Sequence, residues 1–106
     1  MGAAEIESLF QGRTVDGYHE RHEYHFQSFY EADGTFRSYQ GAARKLRPGR
    51  WWLNGDLICI RWDDAPGDLC RLMVRRGDKY VKVLPDRKNR VVVTFVKFTD
   101  GNPYGL

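Results

Sequence analysis

The chain has 106 residues, which is room for one domain with one core and not for a second. A hydrophobic share of 42% with 15 aromatic residues excludes a disordered chain, and no apolar run approaches the roughly 18 residues that cross a bilayer as a helix. The net charge of +3, carried mainly by twelve arginines, favours acidic partners at low salt but is too small an excess to mark a nucleic-acid binder.

Met1-Gly2-Ala3-Ala4-Glu5 has neither a basic n-region nor an apolar h-region, so it does not read as a secretory signal. From Ala3 to Gln11, the residues Ile6, Leu9 and Phe10 fall at i, i+3 and i+4, the spacing of one helical face. Gly12 follows at the position where a helix stop accepts a left-handed residue. After this helix, Asp33-Gly34, Pro48-Gly49, Asn54-Gly55, Pro66-Gly67, Gly77-Asp78 and a loop over Pro85 to Asn89 separate stretches rich in Tyr, Phe, Trp, Val and Ile. Turn signals every ~8 to 12 residues indicate an all-β sandwich or barrel. The strands predicted are 13–19, 23–31, 35–43, 45–53, 56–62, 69–76, 79–84 and 90–99.

Eight short strands in a meander favour closure, because an open sheet of this length would leave two long unpaired edges and one poorly covered face. The expected architecture is therefore an eight-stranded antiparallel up-and-down barrel with the short N-terminal helix plugging one end. Asn54-Gly55 reads as a type I′ turn, since Asn and Gly tolerate positive φ best; this register pairs Trp52 with Leu57 and Trp51 with Ile58. It puts Trp51, Ile58, Ile60 and Trp62 on one inward face. Arg50 and Cys59 fall on the other. At Asp33-Gly34, a three-residue loop pairs Tyr30 with Phe36 and is preferred to a two-residue loop, which would pair Tyr30 with Arg37.

Antiparallel strands about a loop centred between Asp64 and Ala65 put Cys59 directly opposite Cys70, close enough for a disulfide. A disulfide and two buried thiols both satisfy this placement. If formed, the bond closes a loop of roughly 12 residues, worth on the order of 2 to 3 kcal/mol.

Gly34-Thr35 after Phe29-Tyr30, Gly49-Arg50-Trp51 leading into Gly55 to Trp62, Cys70 and the closing Gly101-Asn102-Pro103 resemble small lipocalin-like (calycin-type) β-barrel proteins of proteobacteria. The resemblance covers nearly the whole chain. It implies an eight-stranded barrel, a disulfide and a periplasmic or secreted setting, and it brings over no catalytic residues.

Three further constellations bear on function. His19, His22 and His25 offer enough imidazoles for zinc, but strand residues three apart point to opposite faces, so they read as solvated turn histidines; a weak metal site that needs a bend over 20–22 is the alternative. Arg37, Arg44, Lys45, Arg47, Arg50, Arg71, Arg75, Arg76, Lys79 and Lys82, interleaved with Tyr39 and Tyr80, read as a solvated outer face; an anion or single-strand surface is the alternative. Trp51, Trp52, Trp62, Tyr18, Tyr24 and Tyr30 read as core, with a ligand cup at the barrel mouth as the alternative.

Gly-rich phosphate loops, paired carboxylates in an apolar setting and a Ser-His-Asp order are all missing from the sequence, and neither thiol has a neighbouring histidine as base. The expected role is binding without catalysis or cofactor. A small apolar or acidic ligand enters at the mouth opposite the helix, against Tyr24, Arg50, Trp51 and Trp62. A protein partner, met by an exposed loop such as Asp63 to Asp68 on a filled barrel, is the second expectation. Weak nucleic-acid binding by the arginines is the third.

Overall fold

The protein is described by a computed structural model covering residues 1–41 and 44–106. One helix, α1 (Ala3–Phe10), precedes eight strands: β1 (Arg13–His19), β2 (Tyr24–Tyr30), β3 (Thr35–Gln40), β4 (Lys45–Asn54), β5 (Leu57–Trp62), β6 (Leu69–Arg76), β7 (Lys79–Leu84) and β8 (Arg87–Asp100). Each strand pairs antiparallel with the next, and β1 closes on β8, so the sheet is a closed barrel without free edges. The end of the expected third strand, at residues 42 and 43, lies outside the described residues.

α1 stops as its composition requires. Gln11 turns extended, and Gly12 takes φ +70°, a conformation that a side chain would strain. Gly12 N–H donates to the Tyr30 carbonyl, which ties the helix to the barrel rim at the start of β1. Ile6 and Phe10 are fully buried there and Leu9 is partly so. Phe10 meets Tyr30, Phe95 and Phe98 at ring separations of 4.8, 5.3 and 5.5 Å, so the helix closes this end with aromatic packing.

The interior face carries Val15, Phe26, Tyr30, Phe36, Trp51, Ile58, Met73, Val93 and Phe95 in one cluster. Tyr30 pairs with Phe36, the register of the three-residue loop; Gly34 there adopts φ +94°. Cys59 pairs with Cys70 and the two sulfurs are bonded. Their strand parity is opposite to that of Ile58 and Ile60, so the bond lies on the outer side of the sheet.

Two expectations are corrected. The β4–β5 turn is Gly55-Asp56, not Asn54-Gly55: Asn54 pairs with Leu57, Trp52 with Cys59 and Trp51 with Ile60. The register is displaced by two residues, which preserves side-chain parity, so Trp51, Ile58 and Ile60 still share the inner face. The loop expected over Pro85 to Asn89 is a turn of Pro85-Asp86, and β8 begins at Arg87 opposite Leu84.

Glycine permits two close approaches. A Cβ on Gly49 would lie 2.5 Å from the Arg61 carbonyl oxygen, and one on Gly17 would lie 2.6 Å from the Phe26 ring. β4 and β1 can therefore come this close to β5 and to the Phe26 ring only where they carry no side chain.

Candidate ligand cup at the open end

Opposite α1 the interior is not completely filled. A cavity of ≈ 50 Å³ is walled by Phe26, Phe36, Ile60 and Val93 and floored by Tyr30 and Lys82. Below this floor, Tyr30 rests on Phe10 and on Trp51, whose ring meets it edge-on at 5.4 Å. The floor is thus braced by the helix plug.

Lys82 is the unexpected member. Met73 pairs with Lys82, and Met73 faces inward, so the lysine on β7 must point into the barrel and not onto the outer face. It is 6% exposed. Its ammonium lies 3.4 Å from the Tyr30 hydroxyl and within 6 Å of the Tyr30 and Phe95 ring centres. Among the described residues no carboxylate pairs with it. Burial, reinforced by Arg71, holds Lys82 down at about 7, and burial holds the Tyr30 phenol well above its usual range. Tyr30 therefore stays protonated at neutral pH and gives Lys82 a dipole, not a counter-charge.

The walls carry paired polar groups. Ser28 Oγ donates to Ser38 Oγ at 2.8 Å, and Gln40 Nε2 donates to the Tyr24 hydroxyl at 3.3 Å near the rim. His19 stacks on Tyr24 at 5.0 Å and on His22 at 4.8 Å. The His22 backbone N–H donates to His19 Nδ1, so that nitrogen is bare and Nε2 carries the proton. Burial, followed by the charges of His22, Arg21, Lys82 and Arg71, holds His19 at about 4, so the ring is neutral above that pH.

The expected ligand set is only partly brought together. Tyr24 and Trp62 line the cup. Trp51 lies toward the helix end, where its Nε1 donates to the Glu31 carbonyl at 2.7 Å. Arg50 has outward parity and stands opposite Arg61 on the outer face. The rim cation is Arg47, which pairs with the inward Ser38, lies 4.2 Å over the Trp62 ring and donates from Nε to Asp64 at 2.8 Å. The basic set read from the sequence as one outer face is therefore divided: Lys82 is interior, Arg47 and Arg71 carry inward parity near the mouth, and Arg50 faces outward.

Of the three histidines, His19 is not a solvated turn residue; it forms part of the cup wall. Sequence reasoning also missed Ser28, Ser38, Gln40 and Lys82. Their signal was parity. Carrying the Cys59 to Cys70 register from inward Ile58 through Met73 and across the Gly77-Asp78 turn puts Lys82 inside. In comparison with known proteins, no family model, curated protein or solved structure matches the chain.

Proposed function

We propose that this protein is a lipocalin-like carrier that binds a small organic acid in the open-end cup, with its carboxylate against Lys82 and Tyr30. The observation that carries the reading is Lys82, a buried ammonium with no carboxylate partner among the described residues, facing a cavity. An isolated buried charge is costly, and an entering anion would supply its missing partner. Small eight-stranded barrels either fill their interior with side chains or hold one small ligand, and this cup leaves space for a few heavy atoms beneath an aromatic rim. Tyr24, Trp62 and neutral His19 supply stacking surfaces for the ligand's apolar part. The Cys59–Cys70 bond supports function in an oxidising compartment, periplasmic or extracellular.

Titrating tryptophan fluorescence with acetate, longer fatty acids, benzoate and a tetrapyrrole acid tests the reading. The expected result is a saturable change with a short or aromatic acid, stronger at pH 6 than at pH 9 because the anion requires the charged lysine. Lys82→Met abolishes it. No response from any of these acids would defeat the assignment.

A protein-interaction reading has one observation in its favour. The outer groove of ≈ 580 Å³ is lined by Arg50, Trp52, Arg61 and Trp62 and bounded by residues 63–66, a loop anchored by Arg47–Asp64 and by the disulfide beyond it. Aromatic and arginine side chains on paired strands beside a fixed loop are what a partner's hot spot uses.

A further inference from the structure

Beside the cup mouth lies a second cavity, of ≈ 290 Å³, onto which His19, Arg21, His22, Arg71, Arg87 and Arg90 converge. They come from three separate places in the fold: the β1–β2 turn, β6, and the β7–β8 hairpin. Among the described residues none of the four arginines forms an ion pair, although three of the four other arginines in the described ion pairs, Arg13, Arg37 and Arg47, are held at 3.3 Å or less by a carboxylate. The acidic groups nearby are otherwise placed. Glu20 accepts from the Thr94 hydroxyl at 3.2 Å, and Asp86 attracts Arg71 without reaching ion-pair distance.

Arg71 is the inner member. It stands opposite Ile58, so it is directed inward, and it spends one Nη1 donor on the Cys70 carbonyl at 2.9 Å. A guanidinium has five N–H donors in a planar fork, so most of its donors remain for a ligand. Burial and the charge of Arg21 lower its pKa, with Asp86 acting against them, so the cation is less favourable here than in water. Four like charges drawn together with no ion pair among the described residues are a cost that a multiply charged anion would relieve. Guanidinium forks match phosphate oxygens bidentately, and a single carboxylate would leave most of these donors unused. The cavity also exceeds a bare phosphate group, and its remaining wall is apolar, including Leu84 and Val92.

We propose that this cleft is a phosphate-binding site for a phosphomonoester, the phosphate held by Arg21, Arg71, Arg87 and Arg90 and the organic group against the apolar wall. It is separate from the cup floor and does not depend on Lys82. The phosphate can belong to a soluble molecule or to a lipid headgroup, and two arms distinguish these sources.

In the first arm, the folded full chain is titrated calorimetrically with phenyl phosphate at low salt, with sulfate and benzoate as comparison anions. In the second, co-sedimentation is measured with phosphatidylcholine vesicles with and without phosphatidic acid. Saturable binding of phenyl phosphate at least tenfold tighter than that of sulfate assigns a soluble ligand. Binding to phosphatidic acid vesicles alone assigns a lipid one. Either must weaken at least tenfold in Arg71→Met and in Arg21→Ser, the latter an exposed turn residue that the fold does not need. Arg75→Ser, exposed at the far end of β6, and Lys82→Met should leave it unchanged. Absence of binding in both arms, equal affinity for sulfate, or indifference to Arg21→Ser would overturn the site, whereas loss of benzoate binding in Lys82→Met with phenyl phosphate retained concerns the cup alone.

Discussion

Lys82 on β7 reaches across the barrel to Tyr30 on β2, with Nζ 3.4 Å from the hydroxyl. The two residues are 52 apart in sequence, and the contact exists because the strands close into a ring. Tyr30 is in turn packed on Phe10 of the helix, so the polar floor of the cup rests on the apolar plug. Stability and pH response therefore meet at one pair of side chains, the pair on which the proposed ligand site rests.

Lys82→Met should stabilise the protein by about 1 to 4 kcal/mol at pH 6, because a hydrophobe of similar volume removes an unpaired buried charge. The sign in pH follows from the lowered folded value. Lys82 titrates at about 7 in the folded protein and at its ordinary 10.5 when unfolded, so between these the unfolded chain binds the extra proton. Wild-type stability then rises with pH across that window, and the advantage of Lys82→Met shrinks. Urea denaturation at pH 6 and pH 9 checks this; an advantage that grows toward pH 9 contradicts it.

Trp51 is 7% exposed, and its indole donates to the Glu31 carbonyl at 2.7 Å while its ring meets Tyr30 edge-on. Trp51→Ala should cost about 3 to 5 kcal/mol. Trp51→Phe keeps most of the packing and leaves the carbonyl short of a donor, for a loss of about 1 to 3 kcal/mol. Chemical denaturation of the two variants orders these losses.

Reduction should loosen the 63–68 loop before it opens the barrel. The Cys59–Cys70 bond spans a separation of 11, and replacing both cysteines with alanine should cost about 2 to 3 kcal/mol. Non-reducing mass spectrometry after alkylation should find no free thiol in the native protein. Hydrogen exchange on the double variant should show the earliest loss of protection in the 63–68 loop and the ends of β5 and β6.

Gly49→Ala should destabilise more than Gly17→Ala. The new methyl at 49 meets the Arg61 carbonyl at 2.5 Å, a backbone atom held in the β4–β5 ladder, whereas at 17 it meets the Phe26 ring, which can tilt. Thermal melts of both variants decide the order; a smaller loss at 49 would place the freedom in the backbone instead.

The sequence by itself determined the elements and their order, because these depend on local signals. Alternating aromatic and aliphatic residues set the strands, and Gly12, Gly34 and Gly77 take positive φ where turns or a helix stop were expected. The Cys59 to Cys70 and Tyr30 to Phe36 registers were equally legible, each set by a short loop between strong strands. The Asn54-Gly55 register was not, since the chain turns one residue later; inner and outer faces survived because a displacement of two residues leaves parity unchanged. What only the tertiary structure decided was the site. Residue type sends a lysine outward and a tryptophan wherever its strand is apolar, yet closure of β1 on β8 put Lys82 and Tyr30 face to face and drew Trp51 to the plugged end, away from Tyr24 and Trp62. A cup is the volume that eight strands and one helix leave unfilled, a property of the closed ring that no single strand carries.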